Sequence, residues 1–232
     1  MKEKFNVRIL AEIAIFAALG FALDALQGGY SRGLFPSGGS IGFAMLPIFI
    51  IGYRRGLLPG VLCGLVLSLV QMLSGIYVIS GAKYDNGFLQ AMAPFFQVML
   101  DYVLAYTLVG VCGAFSGLYH KKEDFKGQLL FIIIGCVVGG LLKYSSHVIA
   151  GGLFYLDPES TFMGVSGDSW WFSFVYNGAY CLPNIILCTA LMIIIAKFYP
   201  QLLNVEMASP LNEAEEIEAK EDEKEGDTSD ER

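Results

Sequence analysis

The segment KYSSHVIAGGLFY, residues 143–155, directly continues the apolar run from Leu129 to Leu142. An apolar run of this kind predicts a membrane helix, so the segment places a lysine and a histidine inside the membrane. Residues spaced four apart share one face of a helix, and here they are Lys143, His147, Gly151 and Tyr155. Ionisable groups inside a span usually face a protein interior or a cavity and mark a ligand path. We therefore expect this face to form half of a pocket; the alternative is a polar network that only packs helices.

The composition of the whole chain is that of a membrane protein. Its 232 residues are 55% hydrophobic and its mean hydropathy is +0.56, which is too apolar for a soluble domain with so few charges. The formal charge of -7 is misleading, because residues 206–232 hold twelve acidic and three basic residues. We predict a six-helix membrane substrate-binding domain over residues 1–205 and a disordered acidic cytoplasmic tail over residues 206–232.

Apolar runs separated by polar turns predict an all-α integral membrane protein with six transmembrane helices. The predicted helices are at about 7–26, 41–53, 57–79, 88–119, 129–155 and 170–198. The second is short for a span, so it must be tilted, sheltered or extended. Most lysines and arginines fall in the loops on the side of the two termini, which predicts cytoplasmic termini and a multi-pass protein of the bacterial cell membrane.

The five cysteines predict no metal site and no disulfide framework. They lie inside apolar runs, without a Cys-x-x-Cys pair or a spacing to histidine that suits a metal. We interpret them as small buried apolar residues.

Three polar residues on three predicted helices lie at similar depth in one half of the membrane. At 1.5 Å per residue, Asp101 lies roughly 13–20 Å, His147 about 12 Å and Asn177 about 10 Å from the outer helix ends. Aromatic residues surround them: Tyr102, Tyr155, Trp170, Trp171 and Phe172. A carboxylate, an imidazole and an amide among rings suit a flat, nitrogen-bearing, cationic ligand. The alternative is a structural salt bridge between Asp101 and Lys143.

Other function classes have weaker support. The chain has no phosphate-binding loop of the G-x-x-x-x-G-K-[ST] type, so ATP-driven transport requires a partner. Ser166 and His147 superficially resemble a nucleophile and base, but Ser166 lies in a polar loop outside the span and no residue is placed to orient the histidine. We therefore predict no enzymatic activity. Internal repeats in the sequence would favour a carrier that works without an ATPase, and we find no such repeats.

Several stretches, in the same order along the chain, resemble the thiamine-specific S component of energy-coupling-factor (ECF) transporters. They are FNVRILAEIA (5–14), LPI (46–48), RRG (54–56), LDY (100–102), KY (143–144) with His147, AG (150–151) and YNG (176–178). The resemblance covers about residues 5–200. It implies a six-helix membrane protein that binds thiamine from outside, without a cofactor or a nucleic-acid partner. It also implies a shared module of two ATPases and a transmembrane coupling subunit.

The resemblance also implies roles for residues at the matching positions. Asp101 matches the ligand-facing acid, where we expect a glutamate, and Tyr102 matches the neighbouring hydroxyl. His147 matches a stacking histidine, and Asn177 matches the amide that hydrogen-bonds the aminopyrimidine. Gly151 matches a position where the backbone approaches the ligand.

Other positions depart from the family pattern. Tyr155 stands in place of a tryptophan and Phe172 in place of a tyrosine. The tryptophan of the first loop has no clear match, and Phe35 or Tyr30 is the candidate to replace it. Lys143 either neutralises Asp101 or only ties helices together.

The remaining expectations concern partners and substrate. Ala14 and Ala18 match the small-residue motif that docks on the coupling subunit. The alternatives to thiamine uptake are an S component for another vitamin and a small-molecule carrier that needs no ATPase.

Overall fold

The structure, a computed structural model, describes residues 6–31, 33–35, 37–81 and 84–205. In these ranges six helices form the architecture: α1 Val7–Ser31, α2 Leu46–Arg55, α3 Leu57–Leu73, α4 Gly87–His120, α5 Phe125–Phe154 and α6 Trp170–Phe198. A small hairpin of β1, Thr161–Phe162, and β2, Val165–Ser166, connects α5 to α6. The predicted all-α membrane class is therefore confirmed. The predicted acidic tail, residues 206–232, lies outside the described residues.

Four of the helices are long and apolar enough to cross a membrane, namely α1, α4, α5 and α6, with 25, 34, 30 and 29 residues. The other two are shorter, with 10 residues in α2 and 17 in α3. Of the three alternatives for the second helix, tilted, sheltered or extended, the burial of every residue from Pro47 to Tyr53 supports the sheltered one. Ile48, Phe49 and Ile51 have no exposed surface and form the centre of the main hydrophobic core.

The first three helices have boundaries that differ from those predicted. The first continues to Ser31 instead of ending near residue 26, because its last polar side chains are buried against the following loop. Gln27 Oε1 accepts a hydrogen bond from Ala44 N at 3.1 Å, and Ser31 Oγ accepts one from Ile41 N at 3.2 Å. The loop needs residues 41–45 for these contacts, so the second helix begins at Leu46 and not at Ile41.

The third helix ends at Leu73, six residues earlier than predicted. Gly75 follows with φ of +112°, a left-handed conformation that glycine adopts readily and that stops a helix. The segment 74–80, defined here as the post-α3 segment, is irregular. Its backbone is held by side chains of α4, as described below.

Helix α4 is irregular in its middle. A π-helical turn spans Met99–Val103, and a 3-10 stretch spans Gly110–Phe115. The second irregularity lies where α4 approaches α3 closely, because a β-carbon at Gly110 would overlap the backbone of Gly60. Small residues permit such close helix contacts in lipid.

Helices α5 and α6 pack along their length through glycines of α5. A β-carbon at Gly140 would overlap Ile185, and one at Gly152 would overlap the ring of Trp170. The helices begin at side-chain caps: Asp124 Oδ2 accepts from Gly127 N at 2.9 Å, and Ser169 Oγ accepts from Phe172 N at 3.4 Å. This packing fixes the relative position of the polar residues on the two helices.

The hairpin loop between α5 and α6 is exposed and is held by Asp157. Its carboxylate accepts hydrogen bonds from Glu159 N at 3.0 Å and Ser160 Oγ at 2.8 Å. These two hydrogen bonds lower the pKa of the Asp157 carboxyl below its usual value, and the bond from Glu159 N has the larger effect.

At the opposite end of the bundle, one glutamate joins α1 to α2. Glu12 Oε1 lies 2.7 Å from Arg55 Nη2, and Glu12 Oε2 lies 3.1 Å from Arg54 Nε. Arg54 Nη1 also donates to the backbone oxygen of Gln201 at 3.0 Å, just after α6.

The prediction that all five cysteines are buried is confirmed, and all five thiols are free.

Candidate functional site

Asp101 lies in the π-helical turn of α4 and is hydrogen-bonded to a side chain of α5 and to that of Tyr155, the residue directly after α5. Its Oδ1 atom is 2.8 Å from His147 Nδ1, and its Oδ2 atom accepts a hydrogen bond from the Tyr155 hydroxyl at 2.8 Å. The side chains of Asp101 and His147 are 22% and 12% exposed. A π-helical turn widens the helix locally and is frequent at functional sites. The arrangement brings together three residues that the sequence selected.

The pairing with Asp101 fixes which nitrogen of His147 is available. A carboxylate can only accept hydrogen bonds, so Nδ1 carries the hydrogen. The Nε2 atom is then the one that can face a ligand, as an acceptor when the ring is neutral. The Asp101–Lys143 salt bridge considered from the sequence is not the pairing found, because His147 takes that position.

Asn177 of α6 lies directly beside this cluster. Its Nδ2 atom donates to Ser173 O at 2.8 Å, to Ser173 Oγ at 3.1 Å and to His147 O at 3.4 Å. Its Oδ1 atom accepts from the Tyr180 hydroxyl at 2.5 Å. An amide oxygen has two lone pairs, so one acceptor site on Asn177 is left for another partner. Gly151 leaves room for the contact between Asn177 and Ser173, since a β-carbon at Gly151 would overlap Ser173 Oγ.

Aromatic rings enclose the side of the cluster that faces α6 and the first loop. Phe35 is 6% exposed, and its ring centroid lies 5.5 Å from that of Tyr180 and 6.1 Å from that of Tyr176. Tyr180 in turn lies 5.9 Å from the His147 ring in an edge-on arrangement. Phe172 stacks on Tyr176 with centroids 5.7 Å apart. Phe35 is therefore the first-loop residue that packs on the cluster, whereas Tyr30 is 63% exposed.

The first loop is fastened to α6 by two side chains. The Tyr176 hydroxyl accepts from Ser37 N and donates to Gly38 O, both at 2.9 Å. Asn184 is 3% exposed; its Oδ1 atom accepts from Gly42 N at 2.7 Å, and its Nδ2 atom donates to Ser40 O at 2.8 Å. These bonds hold Phe35 against the rings of Tyr176 and Tyr180 on α6.

Lys143 and Tyr102 each make their closest contacts to residues other than Asp101. Lys143 is 4% exposed, and its Nζ atom lies 3.6 Å from the centroid of the Tyr106 ring. The Tyr106 hydroxyl donates to Asp24 Oδ1 of α1 at 3.0 Å. The Tyr102 hydroxyl accepts from Tyr77 N at 3.0 Å, in the post-α3 segment. Lys143 thus does not form the contact with Asp101 that was considered from the sequence, and the Tyr102 hydroxyl is engaged by the post-α3 segment.

The two tryptophans that the sequence places near the polar residues lie at the start of α6. Trp170 and Trp171 are 49% and 59% exposed, and Trp171 stacks on Phe174 at 5.2 Å. Trp170 also covers Gly152 of α5. They lie on the surface of the bundle and do not line the cluster around Asp101.

Four polar residues that the sequence did not place in the site belong to its surroundings. They are Asp24, Gln97, Tyr180 and Asn184. Each lies inside a helix that is mostly apolar, and a polar residue in such a helix is the signal that could have identified them. Gln97 has no exposed surface and contacts both Tyr155 and the post-α3 segment.

The arrangement is suited to binding and not to bond cleavage. Asp101 does orient the His147 ring, contrary to the expectation that no residue is placed to do so. Ser166, however, is exposed in the hairpin, and none of the hydrogen bonds described for His147 involves it. A nucleophile and a base are therefore not brought together. Within the described residues, no group of three or more histidine, cysteine or acidic residues could hold a metal ion. A carboxylate with fixed donors, an available imidazole nitrogen and clustered rings instead fit an organic cation that carries hydrogen-bonding nitrogens.

Comparisons with known proteins agree with a transport function. The model of the thiamine transporter protein family matches residues 10–204. The thiamine transporter ThiT of Bacillus subtilis (strain 168) is 32% identical over 211 residues, which cover 90% of this chain and 100% of the relative. The thiamine transporter ThiT of Lacticaseibacillus paracasei is 26% identical over 208 residues, covering 87% of this chain and 93% of the relative.

A solved structure shows the same fold. The structure of ThiT from Listeria monocytogenes superimposes with a TM-score of 0.63 at 26% identity, covering 85% of this chain and 98% of that chain. The expectation of a non-enzymatic, multi-pass membrane transporter is confirmed by these matches. The chain therefore belongs to the thiamine transporter protein family.

Proposed function

We propose that this chain captures thiamine at the cluster of Asp101, His147, Tyr155 and Asn177 and delivers it inward together with an ECF module. The observation that carries the proposal is the Asp101 carboxylate, held at 2.8 Å by both His147 Nδ1 and the Tyr155 hydroxyl. A half-buried carboxylate with two fixed donors is a preorganised site for a cation.

Both rings of thiamine have matching groups in this cluster and in the aromatic side chains next to it. The thiazolium ring is a flat cation, which Asp101 compensates in charge and which the His147, Phe35 and Tyr180 rings can cover. The aminopyrimidine carries an amino group, which can donate to the free lone pair of Asn177 Oδ1. The Nε2 atom of His147, the nitrogen that does not face Asp101, is a further acceptor.

The positions of the basic residues indicate which side of the membrane the proposed site faces. Arg8, Arg54, Arg55 and Lys197 lie at the end of the bundle opposite the proposed site. By the positive-inside rule this end faces the cytoplasm, so the termini are cytoplasmic and the pocket faces outward. Thiamine is then captured from outside the cell.

The energy for transport comes from partner subunits in this proposal. The chain has no phosphate-binding loop, so we assign ATP hydrolysis to two ATPases and their connection to a transmembrane coupling subunit. Ala14 and Ala18 of α1 are both exposed along one helix face. Exposed small residues one turn apart permit close contact with another helix in lipid, and we assign the coupling subunit to this face.

The proposal is tested by Asp101→Asn. Loss of the charge should weaken thiamine binding by about 1–3 kcal/mol, the range for a hydrogen bond to a charged group. Isothermal titration calorimetry on the purified protein measures the change. Asp168→Asn is the matched control, because Asp168 is exposed in the loop before α6 and its substitution should leave the affinity unchanged.

Unchanged affinity in a folded Asp101→Asn variant removes Asp101 from the site. Titration of the wild type with riboflavin and biotin tests the other-vitamin alternative. Uptake into vesicles that contain only this chain would instead indicate a carrier that needs no ATPase.

A further inference from the structure

Gln97 lies one helical turn before Asp101 on α4 and has no exposed surface. Its side chain makes three hydrogen bonds to groups outside α4. The Nε2 atom donates to the Tyr155 hydroxyl oxygen at 2.6 Å and to Tyr77 O at 3.1 Å, and the Oε1 atom accepts from Ile79 N at 3.3 Å. The glutamine thus joins three parts of the protein: α4, the post-α3 segment and the end of α5.

The partners of Gln97 fix the orientation of its amide. A backbone N–H only donates, so the group facing Ile79 N must be the amide oxygen. A backbone carbonyl only accepts, so the group facing Tyr77 O must be the amide nitrogen. The –NH2 group therefore also faces the Tyr155 hydroxyl.

This orientation determines the direction of the next hydrogen bond. The amide nitrogen has no acceptor lone pair, so the Tyr155 oxygen accepts from it. The single O–H hydrogen of Tyr155 must then point elsewhere, and the group within reach is Asp101 Oδ2, at 2.8 Å. Gln97 thus fixes the position of the Tyr155 oxygen, which without it would be held, among the described residues, by the bond to Asp101 Oδ2 alone.

We propose that Gln97 is a positioning residue for ligand binding, which acts through Tyr155 by directing its hydroxyl onto Asp101. The inference rests on the proposed function, since it assumes that Asp101 binds thiamine. Gln97 itself touches no ligand in this account. Its effect is to keep the carboxylate in one orientation, and such preorganisation favours binding.

A purely structural role would act by a different route. Gln97 also holds Tyr77 and Ile79, so its loss could weaken binding by loosening the post-α3 segment. The two routes are separable, because only the first one requires the Tyr155 hydroxyl.

The test is a double-mutant cycle with Gln97→Met and Tyr155→Phe, measured as thiamine affinity by calorimetry. Methionine matches glutamine in length and flexibility but cannot make its hydrogen bonds. Each single variant should bind thiamine about tenfold more weakly, as expected for one lost hydrogen bond to a charged group. In the Tyr155→Phe background, Gln97→Met should cause less than about a twofold further change.

The matched control is Gln90→Met. Gln90 lies on the same helix and donates to Tyr84 O at 2.8 Å, in the loop before α4, but it does not contact Tyr155. Its substitution should leave the affinity unchanged.

Three results would overturn the inference. The first is wild-type affinity in folded Gln97→Met. The second is a tenfold effect of Gln97→Met that persists in the Tyr155→Phe background, which assigns Gln97 to the post-α3 segment alone. The third is that both variants, Gln97→Met and Gln97→Leu, are obtained only as unfolded protein. Gln97 would then be required for folding and not for positioning Tyr155. Failure of the proposed site looks different, because Asp101→Asn itself would then bind thiamine like the wild type.

Discussion

Gly151 of α5 packs directly against Ser173 of α6. A β-carbon at position 151 would overlap Ser173 Oγ and would lie 3.1 Å from Asn177 Nδ2. Ser173 Oγ cannot easily move, because it donates to Val148 O at 2.8 Å and accepts from Asn177 Nδ2 at 3.1 Å. The absence of a side chain at 151 therefore sets the position of the Asn177 amide.

We predict that Gly151→Ala lowers the folding stability by about 1–3 kcal/mol, the usual cost of overpacking, and weakens thiamine binding. The substitution should displace Ser173 and with it Asn177. Calorimetry on the purified variant measures the change. Gly117→Ala is the control, because a β-carbon at Gly117 meets no atom within 4 Å. Equal affinities for Gly151→Ala and Gly117→Ala would show that Asn177 does not bind the ligand.

Lys143→Met should lower stability while changing thiamine affinity by less than about threefold. The ammonium group lies on the Tyr106 ring and not on Asp101, and a desolvated contact of this kind contributes up to about 2 kcal/mol. The chain offers a direct measure of unfolding, since its five thiols are all buried and should react with a thiol-specific dye only on heating. The expected result is a lower Tm with nearly normal binding.

A loss of affinity as large as that in Asp101→Asn would contradict this prediction. It would place Lys143 in the electrostatics of the ligand site and would return it to the role of neutralising Asp101.

Ala14 and Ala18 should affect transport but not capture. Both are exposed on α1, whereas Ala17 between them is 3% exposed and packs in the core. Replacing Ala14 and Ala18 together by leucine should hold a partner helix away. We expect thiamine affinity of the isolated protein to stay within about twofold of the wild type, since no pocket contact changes. Co-purification with the coupling subunit and thiamine uptake by cells should be lost.

The control for this experiment is Ala17→Leu, which should destabilise the protein by overpacking and should lower binding and uptake together. If the Ala14 and Ala18 double variant behaves in the same way as Ala17→Leu, these alanines serve internal packing. The docking face would then lie elsewhere.

The amino-acid sequence determined the class of protein and the main members of the cluster. Long apolar runs have few stable solutions in a bilayer other than helices, so α4, α5 and α6 were predicted close to their observed positions. The polar residues inside those runs, Asp101 and His147 above all, are costly in lipid and therefore stand out in the sequence. Their distances along the chain from the outer helix ends predict a similar depth in the membrane for both, without any knowledge of how the helices pack.

Only the tertiary structure decided which groups are paired and where the short elements end. Lys143 and His147 lie on the same helix face, and local spacing cannot show which of them meets Asp101; that depends on how α4 and α5 are placed by the π-helical turn and by their contacts. The post-α3 segment is apolar enough to continue a helix, but Gln97 binds its backbone instead. Side chains such as Gln97 and Asn184 take their roles from partners that are distant in sequence, and the pattern of a single helix does not contain those partners.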